Sequence, residues 1–338
     1  MVLLMAERAG SELADQKRLF ESTGHRTYTL STSKGSVFTV MGSHAAEFES
    51  FTGVPEAYRV LEPDVPYILA SRKIKDTPTV VRLANGAAIG GKELAVIAGP
   101  CSVESDVQMM EAARAVREAG ATILRGGAFK PRTSPYAFQG LGVPGLKMMR
   151  QAADAHGLAV ITEVMDADDI GVISEHADII QVGARNCQNF SLLKKLGRCG
   201  RPVLLKRGMM TSIEELLMSA EYILSEGNMD VILCERGIRT FETATRNTLD
   251  ISAIPVLRAK THLPIVVDPS HAAGTWKLIE PLAMAAVAAG ADGLVVEVHP
   301  DPARALCDGN QSLRPNKFSA MMERIRPLAY LLGRDLSF

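Results

Sequence analysis

Between positions 94 and 297 the chain alternates two textures. Short apolar runs span residues 94–98, 121–124, 158–162, 178–182, 202–205, 230–234, 263–267 and 293–296, and amphipathic stretches of helical period lie between them. A continuous apolar run marks a strand buried on both faces, and such strands alternating with helices build a parallel sheet. Eight of them predict an α/β fold, a closed (β/α)8 or TIM barrel, whose active site lies at the carboxyl ends of the strands. The residues that follow each run are therefore the ones to read for chemistry. They are Gly99-Pro100-Cys101, Arg125-Gly126-Gly127, Glu163, Gly183-Ala184-Arg185, Lys206-Arg207, Glu235-Arg236-Gly237, Asp268-Pro269-Ser270-His271 and Glu297-Val298-His299.

Residues 1–65 have a different pattern. A weak strand at the start precedes a helical stretch over 11–23. Two alternating segments, 26–30 and 36–41, flank a turn with Lys34-Gly35, and a short helix over 45–51 leads to a last strand at 58–61. This order predicts a β-α-β-β-α-β unit, a small ferredoxin-like α+β domain. Residues 66–92 form a linker and a hairpin. Segments 79–83 and 87–89 flank Asn85-Gly86, the strongest two-residue hairpin signal, and this hairpin is placed to plug the amino-terminal end of the barrel. Residues 93–338 then make the barrel. One of its helices, over 211–227, opens on a capping box of Thr211 and Glu214, and a helix over 312–332 closes it.

At 338 residues there is room for a barrel of about 250 residues and a small extra domain. The formal net charge of −1 makes the strand-end cations a local field on a near-neutral protein. That favours a pocket for small phosphates or carboxylates and argues against a nucleic-acid partner. The apolar start is too short for a signal-peptide core, and the stretch 282–298 is broken by Asp292 and glycines, so no membrane span or membrane partner is expected. Five cysteines, an odd number without paired metal-finger spacing, point to a reduced, cytoplasmic setting.

Two constellations carry chemistry. Cys101, His271, Glu297 and Asp308 come from the ends of the first, seventh and eighth strands and the loop beyond. In a closed barrel the first strand adjoins the eighth, so these groups can converge. A thiolate, an imidazole and two carboxylates suit one divalent cation of borderline softness. Singly, each also has an ordinary structural use; Cys187, Cys199 and Cys234 are read as core filler, while Cys307, beside Asp308, stays open. The second constellation is Arg125, Lys130, Arg132, Arg185, Lys206 and Arg236, set beside glycines that let a ligand approach the backbone. So many cations imply several anionic groups, such as two phosphates and a carboxylate. Glu163 either orients a water molecule or a lysine, or pairs with the cations to hold the pocket together.

Several motifs closely resemble one family. They include Gly99-Pro100-Cys101-Ser102, Lys130-Pro131-Arg132-Thr133-Ser134-Pro135-Tyr136 and Gly183-Ala184-Arg185-Asn186. Leu205-Lys206-Arg207-Gly208, Cys234-Glu235-Arg236-Gly237, Asp268-Pro269-Ser270-His271 and Glu297-Val298-His299-Pro300 complete the set. The family is 3-deoxy-D-arabino-heptulosonate 7-phosphate (DAHP) synthase, type I-beta, a transferase that joins phosphoenolpyruvate to erythrose 4-phosphate and opens the shikimate pathway. The resemblance implies metal ligands at Cys101, His271, Glu297 and Asp308 for Mn, Fe, Co or Zn. It implies phosphoenolpyruvate contacts at Arg125, Lys130, Ala184 (through its amide), Arg185, Lys206 and Arg236. The erythrose phosphate site falls on Lys130, Pro131, Arg132, Thr133 and Ser134, and Glu163 would hold the attacking water. Lys130 is the first choice of proton donor, ahead of His271. The rival in the superfamily is 3-deoxy-manno-octulosonate 8-phosphate synthase, which uses arabinose 5-phosphate; a Schiff-base aldolase through Lys206 or Lys130 is a second. The resemblance further implies a regulatory role for residues 1–65, with tyrosine or phenylalanine as inhibitor, and a homotetramer.

Overall fold

The computed structural model describes residues 2–6, 11–22, 24–33, 35–41, 58–61, 64–132 and 134–336. The chain divides into two compact units, residues 1–78 with 260–262, and residues 79–259 with 263–338.

In the first unit, strands β1 (Val2–Ala6), β2 (Arg26–Thr32), β3 (Gly35–Met41) and β4 (Tyr58–Leu61) form an antiparallel sheet of order β2-β3-β1-β4. The first strand lies between the third and fourth, with Val2 opposite Val40 and Leu3 opposite Leu61. That order is the ferredoxin-like one expected from the sequence. A helix, Ser11–Ser22, connects β1 to β2. Alternation along β2 and β3 turns Leu30, Phe38 and Val40 inward, and the Phe38 ring lies 5.8 Å from that of Phe20 on the helix. The short helix expected over 45–51 lies outside the described residues.

His262 in this unit is buried, and its Nε2 lies 2.7 Å from the Leu69 carbonyl oxygen. Burial pushes the imidazole down from 6.5 to about 4. Below pH 6.5 the unfolded chain therefore takes up a proton that the folded chain refuses. From this group alone the unfolding free energy should fall by roughly 3 kcal/mol between pH 6.5 and pH 4, and no further below. Urea titrations across that window should show a shallower loss in His262→Gln, whose amide can still donate to Leu69; equal slopes would contradict this.

The second unit holds the barrel. Its strands are β7 (Ala95–Gly99), β8 (Ile123–Arg125), β9 (Ala159–Val164), β10 (Ile179–Val182), β11 (Val203–Lys206), β12 (Val231–Glu235), β13 (Ile265–Val267) and β14 (Gly293–Glu297). All neighbours pair in parallel, and β14 closes on β7 with Gly293 opposite Ala95 and Glu297 opposite Gly99. The hairpin β5 (Val81–Arg82) and β6 (Ala88–Ile89) turns at Asn85-Gly86, where Gly86 has φ +89° and the Asn85 side chain accepts from the Ala87 amide. Val81, Ala87 and Ile89 pack with Ala95, Ile123, Ala159 and Ile179. Those are residues at the starts of strands, so the hairpin stops the amino-terminal end of the barrel and leaves chemistry to the other end.

Two helix starts differ from expectation. The helix Ile213–Leu224 is capped by Ser212, not Thr211: Ser212 Oγ accepts from the Glu215 amide, and Glu215 returns a carboxylate oxygen to the Ser212 amide. Thr211 is instead drawn inward, where its carbonyl accepts from Arg207 Nε. The closing helix runs Pro315–Leu331, because the residues before it are held extended against the end of β14: Leu313 bridges to Val298 and its amide donates to the Glu297 carbonyl. Among the described residues, no helix is long and apolar enough to cross a membrane.

Candidate active site

Asp268 follows β13 and caps the helix Pro269–Ala273, its Oδ1 accepting from the His271 amide at 2.9 Å. Its other oxygen, Oδ2, lies 2.7 Å from His271 Nδ1 and accepts from Lys206 Nζ at 2.6 Å. The carboxylate thus holds the imidazole proton at Nδ1 and turns Nε2 toward Glu297, 3.4 Å away. Burial opposes the charge on Asp268, yet His271 and Lys206 beside it hold the carboxyl well below its usual range. Burial lowers His271 from its ordinary value against the pull of Asp268, which favours the neutral imidazole, the form that can act as a ligand.

Glu297 ends β14 fully buried. Arg125 Nη1, from the end of β8, donates to its Oε1 at 3.0 Å, and Gln311 Nε2 donates to its Oε2 at 2.8 Å. Burial pushes the Glu297 carboxyl up, but His271 and Arg125 bring it below its ordinary value. Next to it, Cys101 Sγ lies 3.5 Å from Asp308 Oδ2 and 3.3 Å from Cys307 Sγ, and Lys130 Nζ donates to it at 3.2 Å. The contact between the two sulfurs holds a proton on Cys101, raising that thiol and lowering Cys307. The donor atoms of Cys101, Cys307 and Asp308 lie within 4.8 Å of one another, as do those of His271, Glu297 and Asp308. Asp308 is common to both groups.

The loop carrying Cys307 and Asp308 is held in place. Glu104 Oε1 accepts from the Leu306 amide at 2.9 Å, and Glu104 Oε2 lies 3.4 Å from His299 Nε2. His299 Nδ1 accepts from the Asp301 amide, so the proton sits on Nε2. Asp308 itself has φ +51°, a left-handed conformation that a non-glycine residue adopts only when its surroundings demand it.

Above these groups opens a cavity of about 460 Å³ at the carboxyl ends of the strands. Of the residues expected at the site, Lys130, Pro131, Arg132, Ser134, Glu163, Ala184, Arg185, Lys206, Arg236, His271 and Asp308 line it. Arg125, Cys101 and Glu297 are buried and do not line it; Thr133 lies outside the described residues. The sequence reading missed Arg239, Arg246 and Asn247 and left Cys307 open; all four face the cavity. Arg246 Nη1 donates to Gln311 at 2.8 Å and lies 3.5 Å from Asp308. Arg246 and Asn247 follow no strand directly. They arrive because the long loop after β12 folds back at the Ile238–Thr248 bridge. Its length was the available signal. Arg207, by contrast, turns away to pair with Glu235 and Asp250, bracing the loops that carry Lys206 and Arg236.

Glu163 Oε2 accepts from Gln181 Nε2 at 3.2 Å. Its other oxygen fits only because residue 183 is glycine: a Cβ there would stand 2.0 Å from Glu163 Oε1. Gly183→Ala should therefore displace this carboxylate and lower kcat by about 100-fold, with the melting temperature little changed. A normal kcat in the variant would show that the position of Glu163 does not matter.

Residues 77–329 match the DAHP synthetase I family. The chain belongs to the DAHP synthetase I family. It is therefore an enzyme of that family. It is 49% identical to a phospho-2-dehydro-3-deoxyheptonate aldolase of Thermotoga maritima, over 98% of this chain and 99% of that protein. The crystal structure of the phospho-2-dehydro-3-deoxyheptonate aldolase (DAHP synthase) from Thermotoga maritima superimposes with a TM-score of 0.79 at 47% identity, covering 99% of this chain and 98% of the other. A 2-dehydro-3-deoxyphosphooctonate aldolase of Geobacter sulfurreducens is 31% identical over 71% of this chain and 93% of its own length. The DAHP synthetase I match begins at residue 77, so it covers the barrel unit and not the ferredoxin-like sheet.

Proposed function

We propose that this chain condenses phosphoenolpyruvate with erythrose 4-phosphate and releases phosphate, the first step toward the aromatic amino acids. The observation that carries this reading is the cavity in which Lys130, Arg132, Arg185, Lys206, Arg236, Arg239 and Arg246 converge above a buried cluster of thiol, imidazole and carboxylates. Two phosphates and a carboxylate match that field.

The buried donors fit one divalent ion. Cys101, His271, Glu297 and Asp308 would hold it, since His271 Nε2 and Glu297 lie 3.4 Å apart and Cys101 and Asp308 3.5 Å apart. Bound there, the ion would supply Lewis-acid polarisation of the sugar aldehyde. In this reading Arg185, Lys206 and Arg236 bind the phosphate and carboxylate of phosphoenolpyruvate, with Arg125 and the Ala184 amide supporting them. Lys130, Pro131, Arg132, Thr133 and Ser134 receive the phosphorylated sugar. The methylene carbon of phosphoenolpyruvate attacks the aldehyde carbon, and Lys130 Nζ delivers a proton to the oxygen. Glu163 orients a water that adds to the former enol carbon and accepts its proton. The new hydroxyl then collapses to the ketone as the C–O bond to phosphate breaks, its proton leaving with the phosphate, and Arg185 and Arg236 stabilise the charge that leaves.

Phosphoenolpyruvate consumption by the purified chain, with each sugar and before and after chelation, tests the reading. Metal-dependent turnover with erythrose 4-phosphate alone is expected. Turnover with arabinose 5-phosphate would move the chain to the phosphooctonate reaction of its 31% identical relatives. Turnover that survives complete metal removal would rule out an essential ion at these ligands.

The strand order of the first unit supports a regulatory domain over residues 1–65, responsive to tyrosine or phenylalanine. Removing those residues should leave activity and abolish inhibition; a truncated enzyme still inhibited contradicts this role. Five free cysteines support a cytoplasmic setting, and a homotetramer is the assembly proposed by analogy with the family.

A further inference from the structure

We propose that Cys307 is a second sulfur ligand of the divalent ion, which makes this centre softer than a site with one thiolate. The proposal rests on the metal reading above and adds a donor to it.

The geometry is that of shared ligation. Cys307 Sγ lies 3.3 Å from Cys101 Sγ, and both sulfurs lie within 4.8 Å of an Asp308 carboxylate oxygen. Two thiolates on one zinc-like ion, each about 2.3 Å from it and roughly 90–110° apart, stand about 3.3–3.8 Å from each other. The observed separation is at the close end of that range. The 3.5 Å between Cys101 Sγ and Asp308 Oδ2 is compatible with the same ion.

The surroundings of Cys307 are polar, unlike those of a cysteine that fills a core. It is buried to 4% exposure yet lines the charged cavity, with Arg132 Nη1 at 2.6 Å from its sulfur. Cys234, by comparison, lies in the apolar barrel core. The local charge also admits a second thiolate. Two thiolates and two carboxylates exceed the charge of a divalent ion by two, and three neighbouring cations more than cover that excess. Arg125 sits on Glu297, Lys130 on Cys101 and Arg132 on Cys307. Sulfur donors favour zinc and cadmium over manganese, so the second thiolate should tilt metal preference in that direction.

X-ray absorption at the zinc edge on the zinc-loaded full chain tests this, with Cys307→Ser and Cys101→Ser measured beside it. Two sulfur scatterers at about 2.3 Å in the wild type, and one in each variant, are expected. One sulfur in the wild type, unchanged in Cys307→Ser, overturns the proposal and leaves the ligand set of Cys101, His271, Glu297 and Asp308 standing. No sulfur, or no stoichiometric zinc, overturns that ligand set and this proposal with it. The wild-type count decides the matter even if a variant fails to fold. In the cobalt-loaded chain the thiolate-to-metal charge-transfer band should fall by about half in Cys307→Ser, and competition should show a loss of zinc over manganese preference of about tenfold or more. An unchanged band and an unchanged preference count against the second thiolate.

Discussion

Lys130→Met is expected to lower kcat/KM for phosphoenolpyruvate and erythrose 4-phosphate by about 10³- to 10⁴-fold, with the fold intact. Lys130 is 8% exposed, and its Nζ donates to the Cys101 carbonyl at 2.9 Å and to Cys101 Sγ at 3.2 Å. Burial alone would lower its pKa, but the Cys101 and Cys307 sulfurs facing it raise it above the ordinary lysine value. The ammonium therefore reaches the reaction charged, held beside the donor cluster and open to the cavity. Methionine keeps the length and packing of the side chain but carries no proton and no charge. Stability should change little, because the lost cation was itself costly to bury. Steady-state kinetics and a thermal melt measured together decide the matter. A loss of less than tenfold would reduce Lys130 to a structural contact of the Cys101 loop.

Asp268→Asn is expected to remove about 3–5 kcal/mol of stability at neutral pH and to weaken metal binding by roughly 10- to 100-fold. The carboxylate is fully buried and receives three donors, Lys206 Nζ, His271 Nδ1 and the His271 amide. An amide in its place leaves the Lys206 ammonium buried without a counter-charge and loosens the hold on the imidazole. The pH dependence has a definite sign. The folded carboxyl titrates well below the unfolded value of 3.8, so its stabilisation is complete above that value and lost as pH falls through the folded one. The stability gap between wild type and variant should therefore be full at neutral pH and shrink in strong acid. Denaturant unfolding and metal competition measure the two effects. A variant within about 1 kcal/mol of wild type would mean that Lys206 finds another partner.

Asp268 also shows where a sequence stops being readable. Its place in Asp268-Pro269-Ser270-His271 after an apolar run marks it as a strand-end residue. Its pairing with Lys206, 62 positions away, becomes visible only when β11 and β13 take their places on either side of β12. The barrel strands themselves were legible because burial on both faces forces short continuous apolar runs, and their length and their alternation with amphipathic stretches mark them as strands. The capping box was misplaced by one residue because Thr211 with Glu214 and Ser212 with Glu215 both fit its spacing. The choice was made by Arg207, whose hold on the Thr211 carbonyl pulls that residue inward. Arg246 and Asn247 were missed, since the length of the loop after β12 was the one signal and nothing in their local pattern says that it turns back over the cavity.

The sequence by itself determined the eight-stranded barrel, the hairpin before its first strand, the ferredoxin-like order of elements along the first segment and the residue types at the open end. Each follows from local rules of burial, turn chemistry and strand-end position. Only the tertiary structure decided which of those residues meet. Closure of β14 on β7 brings Glu297 to Arg125 and Cys101 to the Asp308 loop. The Glu104 anchor then sets Cys307 3.3 Å from Cys101, a contact between residues 206 positions apart. Long-range contacts of this kind arise from ring closure and loop packing, and neither leaves a period in the chain.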